Sequence, residues 1–346
     1  MNNYFMPPEW AKQKRVWLSW PHNEDTWTPE FLKKTELEYR LFAKELAEVV
    51  ETNILVLDDE HEKHVKMHLN VINANTKNIV LHIIPTNDAW MRDHGPDFVW
   101  NIDDKYKIIL DWQYNSWGGK YPPYDSDNDV PYLIADAIDL TSISLDMVLE
   151  GGSFEVNGKG DLLTTKSCLL NINRNPELNQ EDIEENLKYY LGAKNILWLE
   201  QGIAGDDTDG HIDDIARFVN DSTIVYASTE DSNHHDYLSL QIIENGLENL
   251  VLADGTKPKL VKIPMPNQLK YEGEILPCSY ANFLITNEKV LVPVFDCPND
   301  SIALEVIQEV FPTRKVVGIP SKNIIIGLGS LHCLSKHEFD ESQFEE

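Results

Sequence analysis

Cysteine is scarce in this chain. Cys168, Cys278, Cys297 and Cys333 are the only four in 346 residues, and none stands in a CxxC pair or at another metal-ligand spacing. Neither a disulfide framework nor a structural zinc site is therefore expected. Basic residues are few as well: 29 Lys and Arg stand against 58 Asp and Glu, a formal net charge of −29 at pH 7. The acidic residues run along the whole length, and no cluster of Lys and Arg exists to neutralise a phosphate backbone, so a nucleic-acid partner is excluded. No apolar run approaches the roughly 18 residues of a membrane-spanning helix, and the opening MNNYFMPPEWAKQKR lacks a basic region followed by an apolar stretch. A soluble, cytoplasmic protein without membrane association is expected. No Pro/Gly/Ser-rich linker or low-complexity tract interrupts the chain, which favours one domain over residues 1–346.

What is present is ample core material, 42% apolar and 10% aromatic residues. The acidic excess is in the first place a solvated surface; at a cleft it would also draw in cations, so a cationic small molecule is a natural ligand class. Four stretches read as apolar strand, polar turn, apolar strand: residues 97–115, 153–171, 216–229 and 282–296. They recur roughly every sixty residues, as one supersecondary unit used repeatedly would. Helical spacing of Leu, Ile and Tyr occupies 178–191, 235–250 and 299–311, and a further helix fits 29–51, before a strand at 54–59. A fifth unit would be completed if the strand at 16–21 paired with 324–335, joining the chain ends and protecting sheet edges. In such a ring, inner strand ends converge on one centre, and residues far apart in sequence face the same ligand.

Four segments concentrate ionisable residues beside glycine at predicted strand ends: NDAWMRDHGP (87–96), LEGGS (149–153), GDDTDGHIDD (205–214) and GLGSLHC (327–333). Alternation in H-I-D places His211 and Asp213 on one face of an extended strand. Asp93 beside Arg92 reads either as a site carboxylate or as a turn residue in a local ion pair, and Glu150 either as functional or as a solvated turn. Metal readings fail. With Gly210 at the sixth position of an EF-hand loop, its first and twelfth positions would be Gly205 and Ala216, which carry no carboxylate. His61-Glu-Lys-His64 is not H-E-x-x-H, and a metallohydrolase reading finds no further histidines at ligand spacing. What remains is a thiol, an imidazole and several carboxylates. A Cys-His pair alone would serve acyl transfer. Carboxylates around a thiol repel an oxyanion, but they suit a planar guanidinium, which stays charged and pairs with them through parallel hydrogen bonds.

With these motifs in view, the sequence resembles the agmatine deiminase family, which includes bacterial peptidylarginine deiminases within the guanidine-modifying superfamily. The resemblance runs through MPPEWAKQKRVWLSWPHNEDTW, NDAWMRDHGPDFV, WGGKYPPYDSDN, LEGGSFEVNGKGDLLTT, DDTDGHIDDIARFV and GLGSLHCLS. It implies an α/β fold, a pseudo-fivefold α/β propeller of ββαβ-type repeats (the pentein fold). It also implies a hydrolase that deiminates agmatine to N-carbamoylputrescine and ammonia, toward putrescine and polyamine biosynthesis. Carried onto this chain, Cys333 is the nucleophile, His211 the general acid and base, Asp93 and Asp213 the guanidinium-binding carboxylates, and Glu150 the carboxylate beside His211. Trp90 is a candidate to pack on the substrate's alkyl chain or to be plain core; His332 reads as structural. No metal or other cofactor is implied, and a homodimer is.

Two departures bear on the substrate's far end. Leu328 and Ser330 stand where the family commonly has Gly and Asn, and Asp209 where Asn is frequent. Asp207, Asp209 or the acidic loop Asp125–Asp129 are candidates to receive a primary ammonium; for a substrate carboxylate only Arg92 and Lys120 stand near the motifs. Arginine or peptidylarginine deimination is the alternative activity. A catalytically silent guanidine- or polyamine-binding protein is the alternative from another class.

Overall fold

The computed structural model describes residues 4–344. Each predicted hairpin forms an antiparallel strand pair: Asp97–Asn101 with Tyr106–Gln113, Phe154–Val156 with Asp161–Thr165, Ala216–Asn220 with Thr223–Ser228, and Leu284–Ile285 with Lys289–Val294. The second strand of each pair then takes a parallel neighbour, respectively Ser142–Val148, Asn195–Leu199, Lys259–Pro264 and Lys315–Pro320. A parallel neighbour needs a crossover. The helices Val130–Ala137, Gln180–Leu191, Tyr237–Glu248 and Asn299–Val310 supply it. Their sequences fit: Gln180–Leu191 opens on an Asn179/Asp182 capping box and ends at Gly192, whose φ of 72° closes the helix in the left-handed conformation.

A fifth sheet joins the chain ends. Gln13–Ser19 pairs antiparallel with Ser335–Phe339 and parallel with Glu51–Val56 across the helix Pro29–Ala47; Ile79–Ile83 follows in parallel across Asp59–Val71. Five apolar clusters fill the layers between sheets and helices. Among the described residues, no helix is long and apolar enough to cross a membrane.

Two local expectations are corrected. Residues 324–334 are not strand: Ile324–Gly327 is a 3-10 turn, Leu328 takes a left-handed φ of 70°, and the ladder starts only at Ser335. The chain must turn into the centre before it can pair, and the Leu328 N–H bonds back to Ile325 instead of to a neighbouring strand. His211-Ile212-Asp213 is likewise not extended. Ile212–Asp214 is a 3-10 turn, closed by the Ile215 N–H on the Ile212 carbonyl at 3.0 Å, and the strand begins at Ala216.

Candidate active site

Each of these five sheets contributes to one centre in the same way; a sixth, two-stranded sheet, Lys270–Tyr271 with Glu274–Ile275, does not. The residues just ahead of each hairpin's inner strand enter it: Asp93 before Asp97, Glu150 before Phe154, His211 and Asp213 before Ala216, Asn282 before Leu284, and Cys333 before Ser335. All are buried. They surround the floor of a cleft of about 660 Å³ into which Asp93, Trp90, Trp117 and Cys333 open.

Asp93 is held by two donors, the Trp117 indole N–H on Oδ2 at 3.0 Å and the Gly152 amide on Oδ1 at 2.9 Å. Its Oδ1 lies 3.7 Å from His211 Nδ1. Gly152 fits only because it lacks a side chain: a Cβ there would stand 2.6 Å from His211 Nδ1 and 2.9 Å from Asp93 Oδ1. The alternative reading, a local ion pair of Asp93 with Arg92, does not occur. Arg92 turns away, its Nε donating to the His332 carbonyl at 3.2 Å and its Nη2 lying 3.5 Å from Glu9.

Cys333 Sγ lies 3.6 Å from Asp213 Oδ2 and receives the Asn282 side-chain N–H at 3.0 Å. Burial, and then the charges of Asp213, Asp214 and Asp93, push the thiol well above its ordinary range. Burial, with Asp93 next, pushes Asp213 up in the same way. Asp213 Oδ2 is 2.7 Å from His332 Nδ1, and the opposite nitrogen of that ring is 2.7 Å from Glu9 Oε2. A neutral imidazole has one N–H and cannot donate to two carboxylates. A second proton is therefore shared across Asp213, His332 and Glu9. Burial together with Arg217 and Arg92 disfavours its place on the ring; at Glu9 burial acts upward, but the Arg217 and Arg92 charges and the hydrogen bond from His332 hold the carboxyl well below the usual range. Burial and the neighbouring Asp93 charge favour the protonated form of Asp213.

Glu150 stands near His211 but points its Oε1 at Arg174, whose Nε donates at 2.6 Å. Arg174 also binds Asp209 and donates to the Thr208 carbonyl at 2.8 Å. Among the described residues, Glu150 Oε2, Asp213 Oδ1 and both ring nitrogens of His211 have no hydrogen-bond partner. Four unpartnered buried polar atoms at one centre are unfavourable unless a ligand completes them. Burial lowers the His211 pKa despite the nearby Glu150 carboxylate, which favours the neutral ring.

Above this floor the wall is acidic and aromatic. Asp25, Asp88, Asp207, Glu272 and Glu274 line the cleft, and Lys120 is its one cationic lining residue among those described. Lys120 is already engaged, donating to Asp209 Oδ1 at 3.0 Å and to the Asp207 carbonyl at 2.5 Å. Asp127 of the acidic loop is buried, accepting the Asn87 amide at 2.7 Å, and the loop does not line the cleft. Trp90 does, with its ring tilted on Trp27 at 5.3 Å. A Cβ on Gly329 would run into the Trp90 ring, so the missing side chain makes room for the indole.

The sequence reading missed Asn282, Arg174 and Glu9. Asn282 had a signal, since it precedes the fourth hairpin at the position that the other repeats use for a site residue. Glu9 lies within the MPPEW stretch of the resemblance, though nothing there marks it as a site residue; Arg174 had no signal.

Residues 5–338 match the family model of Porphyromonas-type peptidyl-arginine deiminase. The chain is 34% identical to the agmatine deiminase of Enterococcus faecalis, covering 98% of this chain and 96% of that one at a TM-score of 0.91. The C. jejuni agmatine deiminase solved with substrate bound is 32% identical, over 97% of this chain and 96% of that one, at a TM-score of 0.87. A Yersinia pestis relative named "Putative agmatine deiminase" is 35% identical over 97% of this chain and 95% of its own length. The resemblance read from the motifs is thereby borne out, and the α/β chain belongs to the Porphyromonas-type peptidyl-arginine deiminase family.

Proposed function

We propose that this protein is a hydrolase that deiminates agmatine to N-carbamoylputrescine and ammonia through an amidino adduct on Cys333. The observation that carries the choice of agmatine is the cleft wall: five carboxylates line it, and its only cation among the described residues is already paired. A primary ammonium is attracted there, whereas the carboxylate of arginine would meet like charge. Asp25, Glu272 and Glu274 are the natural receivers. Asp207 and Asp209 are already engaged, Asp207 by Lys120 at 3.4 Å and by the Tyr121 hydroxyl, Asp209 by Arg174, Lys120 and Asn173.

The guanidinium lies between Asp93 and Asp213, with its central carbon above Sγ. Its charge offsets the carboxylates that raise the thiol pKa, so binding itself favours the thiolate. As the cation arrives, the Asp213 proton passes to His332, which then donates to both Asp213 and Glu9. Asp213 thus becomes the anion the substrate needs without releasing a proton to water. Neutral His211 takes the thiol proton as the S–C bond forms and delivers it to the leaving nitrogen as the C–N bond breaks, releasing ammonia. It next takes a proton from the attacking water and returns it to sulfur as the S–C bond breaks. The ureido product departs, and the remaining proton converts ammonia to ammonium. Glu150, anchored on Arg174, sets the field at His211. Trp90 packs beside the alkyl chain.

The five sheets, each a hairpin with a parallel outer strand, are read here as the blades of a pseudo-fivefold propeller, the pentein fold, in one domain. A cytoplasmic homodimer completes the reading. The test is incubation with agmatine, arginine and a C-terminal arginine peptide, followed by assay of ammonia and of the ureido product. Turnover of agmatine is expected to lead. Preferential turnover of either arginine substrate overturns the choice of substrate, and no turnover by folded protein overturns the deiminase reading.

A further inference from the structure

Away from the cleft, the helices Pro29–Ala47 and Asp59–Val71 pack together and hold a second group of ligand-type side chains. His64 and His68 are four residues apart and share one helix face. His64 and His68 do stand at ligand spacing, contrary to the expectation from sequence, but they form no H-E-x-x-H pattern because their partner carboxylate comes from another helix. That carboxylate is Glu36: His64 Nε2 lies 2.6 Å from Oε1, and His68 Nε2 lies 3.9 Å from Oε2. The three ligand atoms lie within 4.8 Å of one another. We propose that Glu36, His64 and His68 form a site for a zinc-class divalent cation, clamping the two helices together.

Three observations carry this beyond an ion pair. His68 is only 12% exposed; its Nδ1 is buried with no hydrogen-bond partner among the described residues, and its Nε2 lies 3.9 Å from Glu36 Oε2, beyond hydrogen-bond distance. Such a group normally finds a partner. Glu36 Oε1 is in turn anchored from behind by the Trp20 indole N–H at 2.8 Å, and the Trp20 ring meets the His68 ring edge-on at 5.7 Å. This is the outer support that orients metal ligands. Finally, the His64 side chain is 41% exposed, which leaves an entry path and room for water as fourth ligand.

Tetrahedral zinc with bonds of about 2.0 Å sets its ligand atoms about 3.3 Å apart, so the two observed separations need shifts of less than about 1 Å. Two imidazoles and one carboxylate select zinc, copper or nickel over magnesium or calcium. His61 stacks on His64 at 6.1 Å, but its Nδ1 accepts the Leu57 amide, which leaves it outside the set.

The proposal is independent of the deiminase reading and is tested by binding. The full chain is stripped of metal and carries Cys333→Ser, because that thiol with Asp213 and Asp214 is a competing set. Zinc is titrated by calorimetry, and cobalt(II) by visible absorption. One ion per chain is expected, with a d–d spectrum lacking a thiolate charge-transfer band and with a zinc-dependent rise in melting temperature. His64→Gln and His68→Gln should each weaken binding at least tenfold and abolish that rise, with the circular dichroism spectrum unchanged. His64→Gln is at a part-exposed position and keeps the test open if His68→Gln does not fold. Absence of stoichiometric binding, or equal affinity in these variants, overturns the proposal.

Discussion

Replacing His332 by Gln probes the shared proton directly. His332 faces two buried carboxylates at 2.7 Å on each side. Glutamine can serve one of them but cannot carry a positive charge, so one charge-assisted hydrogen bond is lost, worth about 1.5–3 kcal/mol. Because that bond holds Asp213 as the anion only when substrate is bound, the loss is expected in kcat/KM for agmatine, roughly 10- to 150-fold. The sign of the pH effect follows from the raised pKa of Asp213. In the native protein its proton moves to His332 on binding. In the variant it must leave for solvent, so kcat/KM falls as pH drops below that raised value, tenfold per unit, and the gap to the native enzyme narrows as pH rises. The assay is ammonia release from agmatine across pH, with binding to the Cys333→Ser form measured in parallel. A loss under about threefold, or a ratio of native to variant that is constant with pH, refutes the proton transfer and leaves His332 a packing residue.

Cys333→Ser should release no ammonia while still binding agmatine by calorimetry, and His211→Ala should accumulate an adduct with the mass of agmatine less ammonia, or form none if His211 is needed to deprotonate the thiol; intact-protein mass spectrometry reads both. Gly329→Ala drives a methyl group into the Trp90 ring and should cost about 1–3 kcal/mol in urea denaturation, with KM raised as the indole is displaced. Arg174→Met breaks a fully buried ion pair with Glu150 and should cost about 3–5 kcal/mol. Because the Arg174 charge lowers the His211 pKa, its removal should move the His211-governed limb of the kcat–pH profile upward. A stable variant with an unmoved profile would show that Glu150 and Arg174 do not set the field at His211.

Local pattern carried much of the architecture. The turns at 102–105, 157–160, 221–222 and 286–288 are rich in Asn, Asp, Gly, Ser and Thr, and they reverse the chain wherever it is flanked by apolar runs. The helix at 237–248 follows its three- and four-residue Leu and Ile spacing. Where the expectation of strand failed, at 211–213 and 324–334, the chain is turning inward to present its side chains and no neighbouring strand is there to pair with. Alternation and apolarity alone do not register the absence of a ladder partner.

For the site, the glycine-flanked acidic motifs and the Cys–His pair identified Asp93, Glu150, His211, Asp213 and Cys333 as the residues at the centre. They did so because unusual side chains at predicted strand ends are a local property of the chain. Which group each one touches is not local. His332 meets Glu9 across 323 positions and Asp213 across 119, and Asn282 reaches Cys333 across 51. Glu150 stands beside His211 in space, yet it spends its nearer bond on Arg174, which no motif contained. The sequence by itself determined the repeating units and the residue types that a guanidinium requires. Only the tertiary structure decided the burial that pushes Asp213 up, the direction of Glu150 and the pairing of Lys120, because burial and long-range pairing set the balance of charge at an ionisable group.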